Sequence, residues 1–489
     1  MNEFYTSTDH FVLLPAIFLA LFGCAVLIID LIVASDPKLR KSVWLVAIAG
    51  LVLTGVELVR QQRFLAESDL LTLSGFHGAL TLDGNSLFFN WIFLIASLIV
   101  ILISYKYMEI EQEQHGEYYA LILFANCGMY FLATGTELVT LLVGLELMAM
   151  SFYIMVGFLR TDRRSNEAAM KYLLLGAFST GFLAYGFSLL YGIAGSTQLD
   201  AIAAAVKLRD PFDPILILAI VTTTVGLMFK IAGAPFHMWA PDAYEGAPTP
   251  VTAYLAVASK AASFAILLRL FTGPLASARP AWEPLLVGVA ILSLTIGNLA
   301  AISQSNIKRL LAYSSISHAG YILLGLIAGT PTGIQGVGIY LIVYTFMNLG
   351  AFLVVVALRR KGLIGEDIAD FAGLMQKSPG YAVMMLIFLL SLAGIPPTAG
   401  FIGKYYIFLS LIQTGKYGLA VFATLYAAVS IYYYFRIVRS MFLSEATDTG
   451  RLSESFGIRM ALVLTGLGTL VIGIYPQPLL DYAQRTLLK

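Results

Sequence analysis

The sequence predicts an all-α integral membrane protein of about fourteen transmembrane helices, with two inverted five-helix repeats that each contain a broken helix. Three observations carry this. Hydrophobic residues make up 59% of the 489 and charged residues only 12%, roughly half of what a soluble surface needs. Apolar runs of spanning length, about 20 residues, follow one another along the chain. Two of them are interrupted by prolines, with a lysine beside each interruption. A net charge of +1 excludes the basic face that nucleic acid selects.

In chain order the predicted spans 1 to 14 cover 11–34, 43–59, 86–105, 118–134, 137–158, 168–193, 214–234, 249–272, 283–303, 309–328, 334–358, 380–400, 418–442 and 458–476. A further piece, 402–413, reads as the second half of the interrupted twelfth helix. The expected organisation is an N-terminal three-helix region (1–117), a first repeat (118–272), a second, inverted repeat (283–442) and a C-terminal helix and tail (443–489). The first ten residues hold Glu3 and Asp9 and no lysine or arginine, unlike a secretory leader, so the run from Phe11 is expected in the mature chain. Alternating spans from an external N-terminus put eighteen basic residues inside, among them Lys38, Arg164, Lys308, Lys361 and Arg451. Nine fall outside, among them Arg60, Arg63 and Lys489. That asymmetry predicts both termini on the external, periplasmic side.

Three of the 30 basic residues fit neither side: Lys230, Lys260 and Lys404 lie within apolar runs, and Glu146 stands alone in LVTLLVGLELMAMSFYIMVGF. A charge at mid-bilayer costs at least about 2.5–3.5 kcal/mol, so four facing lipid cost on the order of 10 kcal/mol. They are expected to face the interior, to pair, or to be hydrated. Any single one could snorkel or sit in a structural ion pair. Taken together they suggest a proton path, because burial lowers an amine pKa by up to several units and lets it exchange protons near neutrality. Glu146 with Lys230 is the candidate gate pair. Glu137 begins the same helix about 13 Å away and reads as interfacial.

In LLAYSSISHAGYILLGL, Ser314, His318 and Tyr321 are spaced four and three apart and share a helix face. His318 reads as a relay, with a hydrogen-bonded core histidine as the plainer alternative. Lys171 reads equally as a surface lysine or a channel entrance. Lys171 and His237 join the candidate set without an assigned role. Cys24 and Cys127 read as small core residues.

The interruptions are IAGAPFHMWAPDAYEGAPTPVTAY, with Pro235, Pro241, Pro248 and Pro250, and SLAGIPPTAGFIGKYYIF, with Pro396 and Pro397. Proline removes a donor and clashes with the preceding turn. Both carry Ala-Gly-x-Pro, and Gly233 and Gly394 are 161 residues apart, room for five helices. An odd number of spans inverts the second copy, which is transporter architecture. No phosphate-binding GxxxxGK[ST], dinucleotide GxGxxG or CxxC cluster is present. The chain is therefore expected to bind no cofactor and no metal.

The segments GLELMAMSFYIMVGFLR, EAAMKYLLLGAFSTGFLAYG, FKIAGAPFHMWAPDAYEGAPTPVTAYLAVASKAA, NIKRLLAYSSISHAGYILLG and LAGIPPTAGFIGKYYIF resemble one family. It is the proton-conducting membrane transporter family of the antiporter-like subunits of respiratory complex I and of multisubunit cation/proton antiporters. The likeness is to the subunit N branch. The chain ends after fourteen helices, where subunit L continues into a lateral helix, and has Lys404 where subunit M has glutamate.

The resemblance implies that Glu146 is the fifth-helix glutamate and Lys230 the lysine of the broken seventh helix. Lys260 would be the connecting lysine of the eighth, Lys404 the exit lysine of the twelfth, and His318 part of the central polar axis. It implies proton translocation across a bacterial inner (plasma) membrane. Protons would pass from the inner side by Lys230 to Lys260, then by His318 to Lys404. Opening and closing of the Glu146–Lys230 pair would set the direction. NADH, FMN, iron–sulfur clusters and quinone would be handled in partner subunits. The implied partners are the antiporter-like subunits M and L and small subunits such as K, J and A, in a hetero-oligomer within the lipid bilayer. The alternative is a subunit of a multisubunit cation/proton antiporter.

Overall fold

The first helix starts where Thr6 and Asp9 close a reciprocal cap, each side chain bonding the other's backbone N–H. Asp83 and Ser86 do the same for the third. The computed structural model describes residues 5–68, 70–360, 365–446, 452 and 454–488; Glu3, Lys361, Arg451 and Lys489 lie outside the described residues.

Eleven described helices are long and apolar enough to cross a membrane. They are spans 1 (Ser7–Ile32), 2 (Trp44–Glu67), 3 (Gly84–Glu111), 5 (Leu138–Val156), 6 (Arg163–Ala194), 8 (Thr249–Thr272), 9 (Ala276–Ile302), 10 (Ile307–Ala328), 11 (Pro331–Leu358), 13 (Tyr417–Leu443) and 14 (Phe456–Ile474). Span 4 is Gly116–Thr134. Spans 7 and 12 come in halves: Pro214–Lys230 with Trp239–Gly246, and Pro379–Ala393 with Ala399–Gln413. Helices thus stand at all fourteen predicted positions, eleven of them by themselves long and apolar enough to span.

Four features correct the expectation in detail. The break in span 12 lies between Ala393 and Ala399, earlier than the predicted division near residue 401, because Gly394 leaves the helix with φ +86° before the prolines are reached. A two-stranded hairpin, Thr72–Gly75 with Leu80–Asp83, joins spans 2 and 3. Short helices Leu199–Lys207 and Gln477–Leu487 add to the ends of the bundle. Cys24 is exposed and only Cys127 is buried, since a lipid-facing helix accepts a small apolar side chain on its outside as well as in its core.

Burial sorts the spans. Spans 8, 10 and 11 are wholly or almost wholly enclosed. Spans 1, 6, 13 and 14 keep most of their surface on the outside. Packing repeats in order: span 4 lies on 5 and span 9 on 10, while span 6 lies on the halves of 7 and span 11 on those of 12. With five spans in each set, the second set is entered from the opposite side of the bundle.

At membrane depth a broken helix survives only if its freed backbone groups find partners. In span 7, Ser293 Oγ accepts from Ala234 N (2.8 Å), and Trp239 Nε1 donates to Phe229 O (2.9 Å). In span 12, Ser391 Oγ accepts from Gly400 N (2.9 Å), and Lys404 Nζ donates to the helix-end carbonyls Leu392 O (3.1 Å) and Ala393 O (2.7 Å). The two halves meet so closely that a Cβ on Gly400 would overlap Ser391 O. Gly400→Ala must push them apart and is expected to cost about 1–3 kcal/mol. The check is thermal unfolding followed by a thiol-reactive dye on buried Cys127 in a Cys24→Ser background. The variant should melt earlier.

Candidate functional site

The three predicted lysines are all buried. Lys230 is the last residue of the first half of span 7, with 4% of its surface exposed. Its Nζ donates to Tyr153 Oη at 3.4 Å and faces the Tyr153 and Phe229 rings. Tyr153 packs edge-on against Tyr172, and Tyr172 stacks on Trp239. The ammonium thus sits among aromatic faces, which attract a cation.

Glu146 lies two turns before Tyr153 on span 5 and is half-buried beside the outward-facing Val143 and Met150. Its carboxylate accepts from Thr180 Oγ1 at 2.6 Å. No ion pair joins Glu146 and Lys230 among the described residues. The carboxylate is held by span 6, and Tyr153 supplies the contact to the amine. Glu137 sits at the start of span 5, where it accepts from Thr197 and Thr140.

Lys260 follows a π-helical turn, Leu255–Ser259, where a uniform helix is predicted. Such turns shift the following side chains and occur often at functional sites. Its Nζ donates to Ser315 O and, at 2.5 Å, to Ser315 Oγ, and lies over the Tyr344 ring. Ser315 Oγ also meets Tyr244 Oη (3.4 Å) from the second half of span 7, whose Trp239 borders the Lys230 cage.

On span 10, His318 is 2% exposed. Its Nδ1 meets Tyr340 Oη at 2.7 Å, its Nε2 meets Tyr434 Oη at 3.2 Å, and its ring packs on Tyr344. Ser314 bonds the same Tyr434 hydroxyl, which bears out the shared face of Ser314 and His318. Tyr321 points its hydroxyl to Ala423 O and presents its ring to Lys404 Nζ, 4.9 Å from the centroid. A buried row therefore runs Lys260, Ser315, Tyr344, His318, Tyr321, Lys404. Buried Asn348 adds an Nδ2 without a protein partner, one turn from Tyr344.

The other two candidates lie elsewhere. Lys171 is on the surface, paired with Glu167 (2.9 Å) and Asp242 (2.8 Å) in a cavity of about 230 Å³ shared with Arg164, Glu245 and Arg309. His237 is buried in the break of span 7, and its Nδ1 has no hydrogen-bond partner.

The fourth buried lysine is one that sequence reasoning placed at the inner surface. Lys308 is 1% exposed and donates to Glu366 (2.9 Å) and to Ala247 O (2.7 Å) at the end of span 7. Tyr340, Tyr344 and Tyr434 were also missed. A tyrosine in a helix reads as core until its neighbours are known. Among the described residues no group of three or more His, Cys, Asp or Glu is placed to hold a metal ion.

Interrupted helices meeting a buried row of amines, phenols and an imidazole define a transporter-type membrane protein. The chain belongs to the NADH:quinone oxidoreductase/Mrp antiporter transmembrane family, whose pattern matches residues 135–430, more than half its length. It is 67% identical to NADH-quinone oxidoreductase subunit N 2 of Solibacter usitatus, over 99% of both chains. It is 43% identical to subunit N of Trichlorobacter lovleyi, over 97% of this chain and 96% of that one. Among solved structures it is similar to a chain of respiratory complex I from Thermus thermophilus with bound aureothin, with TM-score 0.79 and 33% identity over 96% of this chain and 98% of that one. A chain of the Mrp complex from Dietzia shares the fold (TM-score 0.79, 97% of both chains covered) at 21% identity.

Proposed function

We propose that this chain is a membrane-arm subunit of an NADH:quinone oxidoreductase and moves protons across the membrane while partner subunits oxidise NADH and reduce quinone. The observation that carries the reading is the buried row from Lys260 through His318 to Lys404, continued through Ser315 and Tyr244 toward Lys230. The lysines and His318 can exchange protons, and all the members of the row are buried. Identity of 67% and 43% to relatives named as subunit N supports this assignment over the cation/proton antiporter, for which the shared family pattern and the fold speak.

In this scheme a proton reaches Lys230 from the inner side and passes to Lys260. It crosses by His318 and is released externally from Lys404. Glu146 biases Lys230 through Tyr153, so a movement of span 5 against span 7 changes how strongly the amine holds its proton. The complex is hetero-oligomeric and lies in the bacterial inner membrane, with both termini outside. Its other members are the antiporter-like subunits M and L and small subunits such as K, J and A. FMN, iron–sulfur clusters and quinone sites reside in partners.

The test is the proton-to-electron ratio of the purified complex in proteoliposomes. Lys230→Ala and Lys404→Ala are each expected to lower it while the complex assembles. A wild-type ratio in both would sink the scheme.

A further inference from the structure

Spans 12 and 13 leave a crevice of about 360 Å³ between them, within the range of small-ligand pockets. Ile395, Phe401, Tyr405, Phe408, Ile412 and Ile431 supply its walls. Phe401, Tyr405, Ile412 and Ile431 are 37–49% exposed, so the crevice opens on the outer apolar surface of the bundle. Lys404 also lines it, yet only 4% of that residue is exposed. Two of its three ammonium protons are accounted for by Leu392 O and Ala393 O. Among the described residues no second cation lines the crevice. An apolar slot that opens toward lipid and contains one buried amine suits a long chain ending in a single small anion. A phosphodiester headgroup would have to shed far more water and would find one cation for its bulk.

We propose that this crevice binds a long-chain free fatty acid, with its chain along the apolar walls and its carboxyl group on Lys404. The chemistry is a proton transfer at most. If the amine is neutral, the carboxyl O–H breaks and a Lys404 N–H forms. If it is already an ammonium, the arriving carboxylate pairs with it. Both routes end in the same ion pair, with no electrons exchanged. The consequence rests on the exit role proposed above: a carboxylate on Lys404 holds the proton that the exit residue must release.

A fatty acid also carries protons across vesicles unaided, so the test reads labelling rather than pumping. The purified complex in nanodiscs is irradiated with palmitic acid bearing a mid-chain diazirine, or with hexadecanol or phosphatidylcholine bearing the same diazirine chain. Adducts are mapped by mass spectrometry. The acid is expected to label segments 395–412 and 424–431 about tenfold or more above the alcohol and the phospholipid, the preference that a close charge pair supplies. Lys404→Met should reduce the acid to the alcohol level, and Ala428→Phe should fill the crevice and remove the adduct. Equal labelling by the three probes, or no adduct in these segments, overturns the proposal. Normal pumping by Lys404→Ala would overturn the exit role and leave the labelling result standing.

Discussion

Lys260→Arg is expected to assemble like the wild type and to lose proton transfer through this chain by about 10²-fold, the usual contribution of one positioned proton-transfer group. Both side chains are cationic donors, so arginine can still donate to Ser315 and lie over Tyr344, although its planar guanidinium is larger and carries five donors where the ammonium has three. The difference that decides proton transfer is that a guanidinium stays protonated at any accessible pH. If Lys260 only holds a positive charge between spans 8 and 10, arginine replaces it and pumping continues. If it must release its proton toward His318, arginine stops the row at that point. Lys260→Met, which leaves the Ser315 hydroxyl and the Tyr344 ring without their cation, should fail equally. The measurement is protons translocated per NADH oxidised, read with a pH-sensitive dye trapped in proteoliposomes. Subunit yield is measured beside it. A pumping arginine variant would overturn the relay.

What made Lys230, Lys260 and Lys404 legible is that a charge inside an apolar run is anomalous by itself and needs no knowledge of its neighbours. The clustered prolines of spans 7 and 12 were legible in the same way, although single prolines such as Pro15 and Pro284 sit inside unbroken helices and the exit at Gly394 came before Pro396. The partners were not legible. Lys230 reaches Tyr153 across 77 residues and His318 reaches Tyr434 across 116, and nothing local distinguishes those tyrosines from ordinary core. The Glu146–Lys230 pair shows the limit: sequence identified both charges but could not know that Thr180 holds the acid while Tyr153 meets the amine. The π-turn before Lys260 has no proline or glycine to announce it, since Leu255–Ser259 reads as helix of any pitch.

Lys308 is the sharper lesson, and removing it should have the largest effect on stability. It follows the Asn306 cap of span 10, where a lysine normally lies at the interface. Burial comes from residues 365–371, which fold back over it: Ile307 N bonds Glu366 O (2.7 Å), Ile368 N bonds Ser305 O (2.9 Å), and Glu366 supplies the carboxylate. The same ammonium holds Ala247 O, where the second half of span 7 ends. One cation thus joins the broken span, span 10 and the returning loop. Lys308→Met leaves Glu366 buried without its cation, and breaking such a pair costs about 3–5 kcal/mol. The expected result is a sharp drop in assembled subunit, seen by immunoblot of the membrane fraction and by a lowered unfolding temperature of any complex recovered. Adding Glu366→Gln removes the stranded charge and should recover most of the yield, because replacing both partners of a buried pair is far milder than removing one. If the single variant assembles normally, the ion pair is not what ties these three elements together. If the double variant assembles but pumps poorly, Lys308 also positions the end of span 7 relative to the Lys230 cage.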